Sequence, residues 1–207
     1  MARYTGPKIR LARRANTDLG VKTPGSHAHA TLLKRLNVPP GVHGAKGSRR
    51  KISDFGTQLR EKQKARRMYG VLEKQFRKYF AFAMKFKGNT GEVLLQQLEK
   101  RLDNILYRAS LAPTRGLARQ LVGHGHVMVN DQRVNIPSYQ VAVGDIISLR
   151  PKALDIPAIK KQLEDKNPVV PQWLDRKSGV AKILKIPERQ DIEADITEQL
   201  IVEYYSR

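Results

Sequence analysis

The spacing of apolar residues predicts helices in the middle of the chain. From Gln58 to about Phe86, apolar side chains recur every three or four residues, which is the period of one helix face. Gly70 predicts a break between two helices, because glycine costs about 1 kcal/mol in a helix interior. The apolar face consists of Ala65, Met68, Tyr69, Leu72, Phe76, Tyr79, Phe80 and Ala83.

A second helical pattern runs from Glu92 to Arg108. Its apolar stripe consists of Leu95, Leu98, Leu102, Ile105 and Leu106. After Pro113, the hydroxyl of Thr114 is suited to cap a further short helix. The buried face of that helix is predicted to hold Leu117, Ala118, Leu121 and Val122.

Beyond this point the period changes to two residues, which is typical of strands. Val127 and Val129 alternate with their neighbours, and a turn follows at 130–132. Further short strands are expected around Val134 and Ile136, around Val141 and Val143, and over 146–149. The pattern predicts an α+β fold. It consists of a mainly helical domain, an inserted small domain of an antiparallel sheet and helices, and an extended basic N-terminal segment.

The last third of the chain is mixed. Residues 158–165 predict a short helix, and Pro168, Pro171 and Pro187 punctuate the loops around Trp173. Trp173 could stack on a base or anchor a core, and its neighbour Leu174 favours the core. Residues 192–204 predict a closing helix, with Ile192, Ile196, Leu200 and Ile201 at helical spacing and acids between them.

The charge of the chain is strongly positive and unevenly distributed. It has 39 lysines and arginines against 19 acids, a net charge of +20. Residues 1–91 carry +18, residues 92–187 carry +6 and residues 188–207 carry −4. Such an excess opposes a compact fold unless a polyanion neutralises it, so the front of the chain is expected to bind nucleic acid.

Two readings of the front cations remain open. Residues 1–36 are either a disordered basic tail or a segment that orders on RNA, and the basic helix stripe is either solvated or in contact with RNA. The RNA readings are favoured, because only Glu61 and Glu73 relieve the cations of that stripe. The candidate phosphate contacts are Arg3, Lys8, Arg10, Arg13, Arg14, Lys46, Arg49, Arg50, Lys51, Arg60, Lys62, Lys64, Arg66, Arg67, Lys74, Lys78, Lys85, Arg115 and Arg119.

Several classes of protein are disfavoured. Cysteine is absent, which excludes disulfides and thiolate catalysis. No apolar run approaches the roughly 20 residues of a membrane span, and a cytoplasmic or organelle-interior location is expected. In the loop at 37–48, Lys46 precedes Gly47-Ser48, the wrong order for a nucleotide-binding loop. No nucleophile–base set is evident, so we expect no enzyme; His124 and His126 indicate a polar turn near RNA rather than an acid–base pair.

Many blocks of the sequence resemble small-subunit ribosomal protein four in its bacterial form, over nearly the whole chain. They occur in one order, which is more specific than any one motif. The blocks are residues 2–8, 40–44, 58–64, 69–76, 101–104, 118–122, 124–126, 134–139 and 198–203. Within them, further candidate RNA contacts are Gln120, His124, His126, Asn135, Ser138 and Tyr139.

The resemblance implies a primary binder of small-subunit ribosomal RNA that attaches to the 5′ domain and nucleates assembly of the subunit body. It implies a basic extension (1–45), a helical domain (46–97, completed by 162–207) and an inserted RNA-binding domain (98–161). It places the protein near the channel where messenger RNA enters, with Lys46, Arg49 and Arg50 as candidate contacts. It also implies contact with small-subunit protein five, which influences decoding accuracy. Candidates for that interface are Ile192, Ile196, Leu200, Ile201 and Glu203.

One departure concerns zinc. Many relatives carry Cys-x-x-Cys near the start, where this chain has Ile9 and Ala12, so we expect no zinc site and no cofactor. The histidines His27, His29 and His43 make a poor substitute, because a structural site needs a fourth ligand. The alternative function left open is a non-ribosomal RNA chaperone or assembly factor.

Overall fold

A computed structural model describes residues 4–46, 51–165, 168–192 and 195–206. Within these ranges the chain forms ten α-helices and a five-stranded antiparallel sheet, which confirms the predicted α+β class. The helices are α1 Lys8–Ala15, α2 His27–Lys34, α3 Asp54–Met68, α4 Glu73–Ala83, α5 Thr90–Glu99, α6 Leu102–Arg108, α7 Arg115–Gly123, α8 Pro151–Leu154, α9 Pro157–Leu163 and α10 Glu198–Tyr205. The strands are β1 Val127–Val129, β2 Gln132–Arg133, β3 Ile146–Leu149, β4 Leu174–Lys177 and β5 Val180–Ile183.

The front of the chain is more ordered than its sequence pattern indicates. Helices α1 and α2 enclose a small core of Ala12, Leu19 and Leu32, all of them buried. Ser26 caps α2 by accepting a hydrogen bond from the amide of His29. Residues 8–34 therefore surround a small hydrophobic core, against which Met68 of α3 also packs. Of the two readings of the front segment, the disordered basic tail does not fit these residues. We call residues 8–36 the front module.

The predicted break at Gly70 is confirmed. Helix α3 ends at Met68 and α4 begins at Glu73, and Gly70 lies between them with a φ of +63°, a conformation that side chains disfavour. Ser53 caps α3 by accepting a hydrogen bond from the amide of Gly56. Helix α10 packs along α3, so this unit is closed by two parts of the chain far apart in sequence.

The predicted single helix from Glu92 to Arg108 is wrong, because the segment forms two helices, α5 and α6. Arg101 sits at the break in a β-bridge with Gln140, and the amide of Leu102 donates to the carbonyl of Tyr139. These pairings divert backbone groups that a continuous helix would use internally. The predicted cap at Thr114 is confirmed, since its hydroxyl accepts from the amide of Leu117 at the start of α7.

The sheet has the strand order β2-β1-β3-β5-β4, with neighbouring strands antiparallel. The strand expected after the turn is formed as β2, at 132–133 rather than around 134–136. No strand is formed around 141–143, and the hairpin β4–β5 was not expected. Strand β5 joins β3 with Ile147 opposite Ala181. Trp173, which is 1% exposed, lies in the same apolar core, so its reading as a core anchor is confirmed.

The described chain divides into two compact units. One comprises residues 92–193, and the other comprises residues 2–91 together with 194–207. The expectation that all of 162–207 completes the helical domain needs correction. Residues 174–183 belong to the sheet, because β5 satisfies the backbone hydrogen bonds of β3, whereas α10 packs with α3.

Candidate nucleic-acid interface

Helix α1 presents cations on the surface of the front module. Lys8, Arg10 and Arg14 are exposed, while Ala12 on the opposite face is buried. Arg13 turns inward instead. Its Nε donates to the carbonyl of Val38 at 2.8 Å, and its terminal nitrogen donates to that of Pro39 at 3.0 Å. Arg13 therefore mainly stabilises the fold, because it ties α1 to residues 38–39. Arg3 lies outside the described residues.

Arg14, Arg66 and Arg67 form what we call the arginine cluster, which joins α1 to the end of α3. Burial lowers the pKa of Arg67 below its ordinary value, and the nearby charges of Arg66 and Arg14 lower it further. The buried Nε of Arg67 has no hydrogen-bond partner among the described residues. Guanidinium groups stay charged in proteins, so these three repel one another, and Glu73, 3.6 Å from the Nε of Arg66, offsets that repulsion only in part.

Lys62 and Lys64 of α3 are not available for RNA. They are 3% and 8% exposed, and each is paired inside the protein. The Nζ of Lys62 donates to Glu73 at 2.9 Å and lies 4.5 Å from the ring centre of Tyr204. The Nζ of Lys64 donates to Asp195 at 2.9 Å. The prediction that these two lysines bind phosphate is therefore withdrawn.

Glu73 is the centre of this internal network. Burial by itself would raise its pKa, but hydrogen bonds from Lys62 and Tyr205, with the charges of Lys62 and Arg66, outweigh burial and lower the pKa. The carboxylate is thereby held ionised at neutral pH. One oxygen of Glu73 thus neutralises Lys62 inside the unit, and the other lies 3.6 Å from the Nε of Arg66.

Helix α4 carries a row of exposed cations along a shallow groove of about 460 Å³, which we call the α4 groove. Lys74, Arg77 and Lys78 line it together with Ala81 and Glu73, and Lys85 lies just beyond the helix. Arg77 was not among the predicted contacts. Its spacing of three residues from Lys74 and four from Ala81 could have indicated it.

The remaining predicted cations of this unit are scattered. Arg60 on α3 is exposed, and so are Lys46, in a 3-10 turn, and Lys51. Arg66 is half-buried, and its guanidinium donates twice to the side chain of Gln63. Arg49 and Arg50 lie outside the described residues, so the expected knot of cations around them is not described.

In the unit of residues 92–193, the cations are more closely matched by acids. Arg101 is buried and makes a two-point ion pair with Asp103, at 3.0 and 2.7 Å. Arg119 lies 3.7 Å from the same carboxylate. Arg115 donates to the amide oxygen of Asn104 at 2.7 Å and stacks on Tyr107. Arg115 and Arg119 are both half-buried, and their predicted contact with RNA stays a prediction.

The polar candidates of this unit lie mainly at its surface. His124 and His126 flank Gly125, which has a φ of +70°, and their ring centres are 6.2 Å apart. This turn follows α7 and leads into β1. Exposed candidates are Gln120, His124, Asn135 and Tyr139, and half-buried ones are His126 and Ser138. These side chains offer hydrogen-bond donors and acceptors rather than net charge.

The expected apolar protein interface at the end of the chain is largely internal. Ile192, Ile196 and Ile201 are buried, so they cannot contact a partner without unfolding, and this prediction is wrong for all three. Leu200 is half-buried. Glu203 is exposed and accepts a hydrogen bond from Gln58 at 2.9 Å, which ties α10 to α3.

The residues at the family's zinc positions do not fit a metal. Ala12 is buried in the apolar core of the front module, and Ile9 packs against that core. Hydrocarbon side chains cannot ligate zinc, so these two positions cannot contribute ligands to a zinc site. Among the described residues, no group of three or more histidines and acids is arranged to hold a metal ion.

No described helix has the length and apolarity needed to cross a membrane.

Comparison with known proteins covers the whole chain. Residues 3–99 match the family described as "Ribosomal protein S4/S9 N-terminal domain", and residues 100–147 match the "S4 domain". Two similar relatives are the "Small ribosomal subunit protein uS4" of Geotalea uraniireducens and that of Geotalea daltonii. Each is 51% identical over the full length of both chains.

The α+β fold, with its cation-rich helical unit and small sheet, defines a nucleic-acid-binding protein. The chain belongs to the family of the small ribosomal subunit protein uS4. Proteins of this family are structural components of the ribosome and not enzymes, in agreement with the prediction. The family also agrees with the resemblance carried by the sequence blocks.

Proposed function

We propose that this protein binds small-subunit ribosomal RNA directly, through exposed cations of the unit formed by residues 2–91 and 194–207. It is a component of the small ribosomal subunit and is cytoplasmic, as members of its family are. Three groups supply the contacts: the outer face of α1, the arginine cluster and the α4 groove. The unit of residues 92–193 adds polar contacts through the turn after α7 and the loop at 135–139.

The arginine cluster is the observation that carries this proposal. Arg14, Arg66 and Arg67 come from two elements yet lie close enough for their charges to lower the pKa of Arg67. The Nε of Arg67 is buried without a partner in the described part of the chain, which is costly in an isolated protein. A phosphate of RNA bound at the exposed Arg14 would add negative charge to the cluster and reduce the repulsion among its three guanidinium groups.

We further propose that the protein binds early, in the 5′ domain of that RNA, and nucleates assembly of the subunit body. The concentrated charge of the front supports this, because electrostatic attraction accelerates association with a polyanion. We propose that Lys46, with Arg49 and Arg50, lies near the channel for messenger RNA. The exposure of Lys46 supports its part.

The candidate residues for the contact with small-subunit protein five differ in their burial. Leu200 and Glu203 on α10 are accessible, whereas the isoleucines around them are buried. The end of the chain is also its one acidic segment, with a net charge of −4 over residues 188–207. We therefore propose that the exposed face of α10 contacts protein five, and that this contact influences decoding accuracy.

The test replaces Arg14 and Arg67 together by glutamine and measures binding to a 5′-domain transcript as salt is varied. Each lost phosphate contact should lower the slope of log affinity against log salt by about 0.7–0.9. Lys160→Gln is the matched control, because Lys160 is an exposed cation on α9 outside the proposed surface. An unchanged affinity and slope in the double variant would refute the role of the cluster.

A further inference from the structure

Two exposed phenylalanines lie at the end of α4 and in the turn that follows it. Phe82 is 42% exposed and Phe86 is 49% exposed. Their ring centres are 4.8 Å apart, with the ring planes inclined by 54°. A contact between two rings that both remain open to water leaves an apolar surface with no partner within the described unit. Apolar patches of this kind commonly mark binding sites.

The surroundings of this aromatic pair are cationic. Lys78 lies one helical turn before Phe82, and Lys85 and Lys87 flank Phe86 in sequence. From residue 74 to residue 87 the chain contains no acid. The pair therefore continues the α4 groove, whose cations lie along the preceding turns of the helix.

We propose that Phe82 and Phe86 form a stacking platform for an unpaired nucleotide of the bound RNA. The phosphates next to that nucleotide would lie along the α4 groove and against Lys85. Bases can stack on aromatic side chains whatever their identity, because every base has a π-face. Unpaired bases in loops, bulges and strand ends can make such a contact, whereas bases inside a duplex cannot. This inference rests on the proposed function, since it names the feature of RNA that α4 recognises.

Charge decides between RNA and a protein as the occupant. An apolar protein surface would satisfy the two rings, but it would leave the cations of the groove unpaired. An unpaired nucleotide brings an aromatic face and negative charge together, and so matches both features of the patch. A protein partner is retained as one outcome of the test.

The test compares two RNA probes of equal length on the full-length protein. One is a hairpin with 2-aminopurine in its unpaired loop, and the other is a fully paired duplex. Replacing Phe82 and Phe86 together by leucine keeps the patch apolar but removes the π-faces. We expect hairpin affinity to fall about 5- to 150-fold, as loss of one stacked base predicts. Duplex affinity and the salt dependence should stay as in the wild type, and the quenching of 2-aminopurine should be lost.

The matched variant replaces both phenylalanines by tyrosine, which retains the aromatic rings. It should keep hairpin affinity and the quenching. If the tyrosine variant loses as much as the leucine variant, or if the leucine variant binds hairpin and duplex equally weakly, the platform is overturned. Normal RNA binding with failure to enter reconstituted small subunits would identify a protein partner and also overturn it.

The two proposals fail in different ways. The arginine variant at positions 14 and 67 should weaken hairpin and duplex alike and lower the salt slope. If only that variant behaves as expected, the platform is wrong and the proposed function stands. If the arginine variant has no effect while the leucine variant loses hairpin affinity, the arginine cluster is wrong and the platform stands.

Discussion

The hydroxyl of Tyr205 donates a hydrogen bond of 2.8 Å to Oε1 of Glu73, the same oxygen that accepts from Lys62. Three helices, α10, α4 and α3, thus meet at one carboxylate. Burial raises the pKa of Tyr205, and the bond to Glu73 raises it further. The ring of Tyr205 also stacks on Phe80, with the ring centres 4.5 Å apart. The C-terminal helix is therefore fixed to its unit by polar and aromatic contacts together.

Acid should weaken this junction. The pKa of folded Glu73 is lowered, so its contribution is complete above the ordinary glutamate value of about 4.3 and is lost as pH falls through the folded value. In Glu73→Gln that contribution should be absent, and stability should fall less steeply below about pH 5. Urea unfolding followed by circular dichroism measures this. Glu164→Gln, an exposed site on the other unit, is the control; parallel pH curves for E73Q and wild type would contradict the assignment.

The buried ion pair of Arg101 and Asp103 should be essential to the unit of residues 92–193. Asp103→Ala removes the carboxylate that pairs with the buried guanidinium of Arg101, and breaking a buried ion pair typically costs about 3–5 kcal/mol. Trp173 is the single tryptophan of the chain and is buried in this unit, so its fluorescence reports on the unit's unfolding. Asp155→Asn, an exposed acid, should leave the midpoint unchanged. Equal midpoints for both variants would show that the pair contributes little.

The front module should hold its structure without RNA or metal. Leu32→Ala removes buried methyl groups from its core and should cost about 2–5 kcal/mol. Amide hydrogen exchange over residues 8–36 should then accelerate strongly in the free protein. Leu33→Ala, next to it but exposed, should have little effect. A metal chelator should leave wild-type exchange unchanged, and faster exchange with chelator would contradict a metal-free module.

A pair of lysines separates structural from binding cations. Lys62→Met should cost about 1–2 kcal/mol, because Glu73 loses a charged hydrogen-bond donor, and should leave the salt slope of RNA binding intact. Lys78→Met should do the reverse: stability is kept, and the slope falls by about 0.7–0.9. Thermal unfolding and binding titrations on both variants measure the contrast. A lower slope in the folded Lys62 variant would restore that lysine to the interface.

The sequence pattern predicts correctly those features that depend on interactions between residues close in sequence. The break at Gly70 and the cap at Thr114 follow from backbone strain and hydrogen bonding within a few residues. The outward cations Lys74 and Lys78 follow from helical periodicity. Each of these features depends on neighbours close in sequence, and each was predicted from the sequence.

Features that depend on distant residues were missed. The helical pattern predicts that Lys64 is exposed, but its Nζ donates a hydrogen bond to Asp195, 131 positions later. The same holds for Ile201, whose apolar spacing fits an interface as well as an internal helix contact. The hairpin β4–β5 has short strands with mixed polarity, and only pairing with β3 identifies them as strands. The spacing of side chains along a segment carries no information about which remote segment will pack against that segment.

The two edges of the sheet have a consequence for the protein before it meets RNA. Edge strands expose backbone groups that can recruit a second chain and start aggregation. Here the edges are β2 and β4, only two and four residues long, and each carries cations, among them Arg133 and Lys177. Strand β3, which has a partner on each side, is enclosed between β1 and β5. With a net charge of +20, free chains repel one another and offer little backbone for self-association.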